Sequence, residues 1–158
     1  MSGNGNFKNI LLAGHSRGGM VSIVYAANDS KISRVVSIMS SSVKSIKNKR
    51  YNDWEKIGYE ISSRDVPNTT EKREYKVPYA HVLDRQKFNI FEQIKKVHVP
   101  IIFLAGELDK LVYPEEVKEI YDLANEPKKY FLIKDIGHDY RHNQDQINLV
   151  NDTIIENL

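Results

Sequence analysis

A serine stands between glycines in Gly14-His15-Ser16-Arg17-Gly18-Gly19, at the junction of two apolar runs. Other polar residues follow apolar runs elsewhere in the chain. Ser40, Ser41 and Ser42 follow SRVVSIM, Glu107 and Asp109 follow PIIFLA, and Asp135, His138 and Asp139 follow KYFLI. A serine hydroxyl is a weak nucleophile until a neighbouring base takes its proton, and the imidazole that does so needs a carboxylate to orient it. One alcohol, one carboxylate and one imidazole can each be drawn here from a separate run. That is the inventory of nucleophilic acyl transfer.

Such groups must be brought together by regular elements. Lys8 to Ala13 reads as a strand, short and apolar without alternation, as in a parallel sheet covered on both faces. Gly18 to Asn28 reads as a helix, and Ser33 to Met39 as a second buried strand rich in β-branched residues. Pro100 to Ala105 and Lys129 to Ile133 read as the third and fourth strands. Between them Pro114 to Ala124 is a helix, opened by a proline and two glutamates in its first turn. Asn143 to Leu158 closes the chain as an amphipathic helix. The alternation predicts an α/β fold of about four parallel strands flanked by helices in three layers. In such sheets ligands bind beyond the carboxyl ends of the strands, where these polar residues fall.

The middle of the chain, residues 40–98, is polar and irregular and holds Tyr51, Trp54, Tyr59, Tyr75, Tyr79 and Phe88. Helices are expected around Asp53 to Ile61 and Ile90 to Val97. The stretch reads as an insertion or cap within one domain spanning 1–158, and its aromatics suit a lid over a substrate.

Gly14-His15-Ser16-Arg17-Gly18 fits the pattern G-x-S-x-G between a strand and a helix. A serine there occupies a sharp, strained turn, its hydroxyl clear of the sheet and its flanking glycines free of Cβ clashes. The Arg17 N–H then lies at a helix N-terminus, suited to a developing oxyanion. With VPIIFLAGELDKLVYPEEV and KKYFLIKDIGHDY following in order, the sequence resembles the α/β-hydrolase superfamily of serine hydrolases. The resemblance implies Ser16 as nucleophile, His138 as general base and acid, and Asp109 as the group that orients the imidazole. It implies Arg17 as an oxyanion donor, and Gly14, His15 and Gly18 as support for the turn. Glu107 stays open as an alternative acid, and His142 or His81 as alternatives to His138. His98 precedes a strand at the other end of the sheet and reads as structural.

The resemblance implies a partial fold, because members place several strands before this turn. The strand ending at Gly14 would then be an edge, prone to pairing with a second copy or with an N-terminal partner fragment. It also implies that the second oxyanion donor, carried by an earlier loop in the family, is missing. The expected substrate is a small ester, thioester or amide, and the alternative is a weak or inactive binding fragment.

Other classes are disfavoured. The 23 basic and 21 acidic residues leave a net charge of +2, and the basic run Lys44 to Arg50 is short and mixed, so no nucleic-acid partner is expected. There is no cysteine for a disulfide or thiolate metal site. His138 and His142 alone do not make a metal site. No glycine pattern for a nucleotide is present, and no cofactor is expected. MSGNGNF does not resemble a signal peptide and no run suits a membrane helix, so a cytoplasmic protein is expected.

Overall fold

The computed structural model describes residues 9–40, 49–66 and 69–158. Ser41, Ser42, Pro67, the basic run from Lys44 to Asn48, and the side chains of Lys49, Arg50 and Tyr51 lie outside the described residues. The chain divides into two compact units, one of residues 1–42 and 89–158, the other of residues 43–88.

The larger unit holds four parallel strands: β1 (Ile10–His15), β2 (Ile32–Ile38), β5 (Ile101–Gly106) and β6 (Lys128–Ile133), ordered β1-β2-β5-β6. Helices α1 (Arg17–Ala26), α4 (Ile90–Ile94) and α5 (Pro114–Leu123) cover one face, and α6 (Gln144–Ile155) covers the other. The first face buries Ile23, Val35, Ile94, Phe103 and Ile120 together. The second buries Val36, Ile38, Leu104, Ile136 and Val150. This is a three-layer α/β arrangement. It follows from strands whose two faces are both apolar and need helices on either side.

Local chemistry sets the helix starts. Pro114 occupies the first turn of α5, and the Tyr113 N–H donates to Glu116 Oε2 at 3.1 Å. Asn143 caps α6, its Oδ1 accepting from the N–H groups of Asp145 and Gln146.

The first strand departs from the buried reading of its apolar run and takes the edge position that the resemblance implies. It runs on to His15, and it is not buried on both faces. Ile10 and Leu12 pack on the α1 side, whereas Leu11 and Ala13 on the other face are exposed, Leu11 at 40%. The reason is position. β1 is an edge of this sheet and pairs only with β2 among the described residues.

The smaller unit runs α2 (Lys49–Ile57), an antiparallel hairpin of β3 (Tyr59–Asp65) and β4 (Lys72–Pro78), and α3 (Ala80–Gln86). The helix expected over Asp53 to Ile61 ends at Ile57, because Gly58 takes a left-handed φ of 83° and its N–H closes on the Trp54 carbonyl. Tyr59 then pairs with Pro78 and Asp65 with Lys72. Trp54 is buried, donates from Nε1 to the Val77 carbonyl at 3.0 Å, and stacks on His81. Among the described residues no helix is long and apolar enough to cross a membrane.

Candidate active site

β1 delivers Ser16 directly into α1. The residue has φ 56° and ψ −120°, a strained backbone for any residue with a Cβ. Among the described residues two further non-glycine positions have positive φ: Met39 at 47° just after β2, and Asp135 at 56° just after β6. All three lie at the carboxyl ends of parallel strands.

The turn at Ser16 is held from β2. The Ser16 N–H donates to the Ile38 carbonyl at 2.8 Å. Gly14 and Gly19 are the crowded glycines. A Cβ on Gly14 would lie 2.2 Å from the Gly18 carbonyl group, and one on Gly19 would lie 2.0 Å from Ser40 Oγ. A Cβ on Gly18 would meet nothing within 4 Å. Gly18 therefore contributes its backbone to the close approach, while the steric demand for glycine falls on Gly14 and Gly19.

Asp109 sits in the loop between β5 and α5, with its side chain fully buried. Its Oδ1 accepts from the N–H groups of Leu111 and Val112, both at 2.9 Å, and its Oδ2 stands 2.7 Å from His138 Nδ1. One carboxylate thus closes its own turn and still reaches the imidazole. His138, from the loop after β6, places Nε2 3.0 Å from Ser16 Oγ. Ser16, His138 and Asp109 therefore form one hydrogen-bonded chain drawn from three strand ends. Among the described residues no group of three His, Asp or Glu side chains could hold a metal ion.

The alternative residues take other places in the fold. Glu107 Oε2 accepts from the Asp135 N–H at 3.2 Å, and the Leu108 N–H donates to the Ile136 carbonyl at 2.9 Å. Those bonds tie the loop of Asp109 to the loop of His138. His142 is exposed in a short 3₁₀ turn (Tyr140–His142), His81 belongs to α3 of the smaller unit, and His98 is exposed before β5.

His15 lies against His138, with ring centroids 4.6 Å apart, and edge-on to Tyr140 at 5.3 Å. Burial, then the neighbouring His138 and Arg141, push its pKa down to about 4, against opposing contributions from Asp109 and a hydrogen bond to the His138 backbone. It is therefore a neutral ring at neutral pH.

Sequence reasoning missed two contributors. Ser40, one of the three serines after β2, is fully buried, with Oγ 2.6 Å from the Ser16 carbonyl oxygen. Gly19 makes room for it. The Gly18-Gly19 doublet was a visible signal, but the contact crosses between strands and leaves no local pattern.

The fold is shared with many solved structures. The esterase domain of a Rhodothermus marinus protein superposes with a TM-score of 0.66 at 17% identity, covering 91% of this chain and 58% of that one. The α/β hydrolase GrgF from Penicillium sp. sh18 gives 0.71 at 19% identity over 94% and 63% of the two chains. A monoacylglycerol lipase from Paleococcus ferrophilus gives 0.71 at 18%, over 94% and 67%. No protein-family model matches the sequence, and no curated protein matches it. The chain has the α/β-hydrolase fold in part, spanning 58% to 67% of the length of these three structures.

Proposed function

We propose that this chain is a serine hydrolase that cleaves a carboxylic ester, thioester or small amide through an acyl-enzyme on Ser16. The observation that carries the reading is the hydrogen-bonded chain Asp109–His138–Ser16, at 2.7 and 3.0 Å, ending on a serine with a strained backbone. Ser16 Oγ attacks the carbonyl carbon while its proton passes to His138 Nε2. Asp109 accepts the Nδ1–H, holds that tautomer, and stabilises the imidazolium. The carbonyl oxygen takes up the electron pair as an oxyanion facing the Arg17 N–H at the start of α1. Collapse of this intermediate expels the alcohol, thiol or amine, which leaves with the proton from His138. Water then attacks the acyl carbon, giving its proton to His138. The acid departs and the Ser16 hydroxyl is restored.

A fluorophosphonate probe tests this. The folded chain is expected to label covalently and Ser16→Ala not at all; absence of Ser16-dependent labelling in folded protein would sink the reading. A second reading, a binding fragment with little or no turnover, is favoured by the incomplete span relative to the solved structures. Those chains are longer than this one, and an oxyanion site with one donor fewer turns over about 100- to 1,000-fold more slowly. Hydrolysis of a p-nitrophenyl ester by the purified chain, lost in Ser16→Ala, would exclude the second reading.

A further inference from the structure

We propose that Ser40 is a positioning residue that sets the direction of the Arg17 N–H by holding the carbonyl of the same peptide group. This rests on the reading of Ser16 as nucleophile and of the Arg17 N–H as the oxyanion donor. The Ser16 carbonyl and the Arg17 N–H belong to one planar trans peptide unit, so they point in opposite directions and turn together. A group that fixes one end fixes the other.

Ser40 is placed to do this. It follows β2 and its side chain is fully buried, so bulk water cannot substitute for its hydroxyl. Its Oγ lies 2.6 Å from the Ser16 carbonyl oxygen and 3.1 Å from the Ile38 carbonyl oxygen. The hydroxyl has one proton, and the shorter distance assigns it to Ser16. Ile38 meanwhile accepts the Ser16 N–H at 2.8 Å, so the end of β2 grips the nucleophile residue by both its backbone groups. Met39 between them has a φ of 47° and anchors its N–H on the Leu104 carbonyl at 2.7 Å. The grip is thus built on a strained link pinned to β5. Gly19 completes it, since any Cβ there would overlap Ser40 Oγ.

Donation to a peptide carbonyl also polarises that peptide, making its N–H a stronger donor. The Ser40 hydroxyl therefore orients and strengthens the group on which the oxyanion would rest. The Ser16 carbonyl keeps the Gly19 N–H at 3.1 Å when Ser40 is removed, so the peptide is loosened and not released.

The test compares wild type, Ser40→Ala, Ser40→Cys and Ser37→Ala, each checked for folding by circular dichroism. Ser37 is a buried hydroxyl beside the same Gly19 with no hydrogen-bond partner among the described residues, and it serves as the control. The maximal fluorophosphonate labelling rate is expected to fall about tenfold in Ser40→Ala, less than for outright loss of an oxyanion donor. The half-saturating probe concentration should be unchanged, Ser40→Cys should be intermediate, and Ser37→Ala should match wild type. Independently of activity, the Arg17 amide proton resonance should move upfield in Ser40→Ala. A folded Ser40→Ala with wild-type labelling, or with an unmoved Arg17 resonance, overturns the proposal. An unlabelled wild type overturns the nucleophile assignment instead, and the Arg17 resonance still decides whether Ser40 holds the peptide.

Discussion

β1 and β5 have nearly the same sequence and different fates. Ile10-Leu11-Leu12-Ala13-Gly14-His15 and Ile101-Ile102-Phe103-Leu104-Ala105-Gly106 are both apolar runs containing Ala-Gly, and both lead into a turn or loop that carries a member of the hydrogen-bonded chain Asp109–His138–Ser16. Every residue of β5 is buried, whereas β1 alternates between half-buried and exposed. β5 lies between β2 and β6 with helices on both faces, while β1 has a single strand neighbour among the described residues. Burial here is a property of the place in the sheet and not of the run itself. The two strands also deliver their residues differently. β1 passes straight into α1 through a strained serine, whereas β5 opens into a loop in which Asp109 builds its own turn before reaching His138.

The sharpest way to break this comparison is to truncate the two strands at one residue each. Phe103→Ala should cost about 3–5 kcal/mol, since Phe103 is fully buried and meets Tyr121 edge-on. Leu11→Ala should cost about 1 kcal/mol or less, because its side chain is exposed. Urea denaturation of both variants measures the difference, and equal losses would mean that β1 is as enclosed as β5.

Next in size are the two glycines of the motif. Gly14→Ala forces a Cβ into the Gly18 backbone and should destabilise the chain by about 1–3 kcal/mol. Gly18→Ala places its methyl in open space within α1 and should stabilise by up to about 1 kcal/mol through helix propensity. Opposite signs in the shift of the thermal midpoint are the expected result. A loss of stability in both would show that the space beside Gly18 is filled.

A third effect is confined to acid pH and concerns His15, the last residue of β1. An unfolded histidine takes up its proton near pH 6.5, but His15 in the fold resists it until about pH 4. Between these values the unfolded chain binds more protons, so stability falls as the pH falls, and the contribution is fully present above pH 6.5. His138 and Arg141 oppose the proton, while Asp109 and the hydrogen bond to the His138 backbone favour it. His15→Phe should flatten the pH dependence of the thermal midpoint across that window. An unchanged slope would assign it to other groups.

Much of the larger unit could be read from residue order. The four parallel strands, the helices between them and the G-x-S-x-G turn all announce themselves locally, since an apolar run, a capped helix or a proline start depends on near neighbours. The hairpin of the smaller unit was overlooked. Glu74-Tyr75-Lys76-Val77 alternates as a half-buried strand should, and the helix expected around Asp53 to Ile61 takes in the first residues of β3. The steric demand expected at Gly18 falls on Gly19 instead, because crowding there depends on what lies across the turn, whereas Gly14 is crowded as its place in the motif implies.

Residue order alone carries the class of fold, through the periodicity of its apolar runs, and the succession of serine, carboxylate and histidine on which the family resemblance rests. The folded chain alone shows which carboxylate meets which imidazole, that Glu107 ties loops while Asp109 reaches His138, and that Ser40 grips the Ser16 carbonyl. Each of those depends on atoms brought within about 3 Å from strand ends far apart in the chain. Such distances are set by register, twist and packing, which no local pattern encodes.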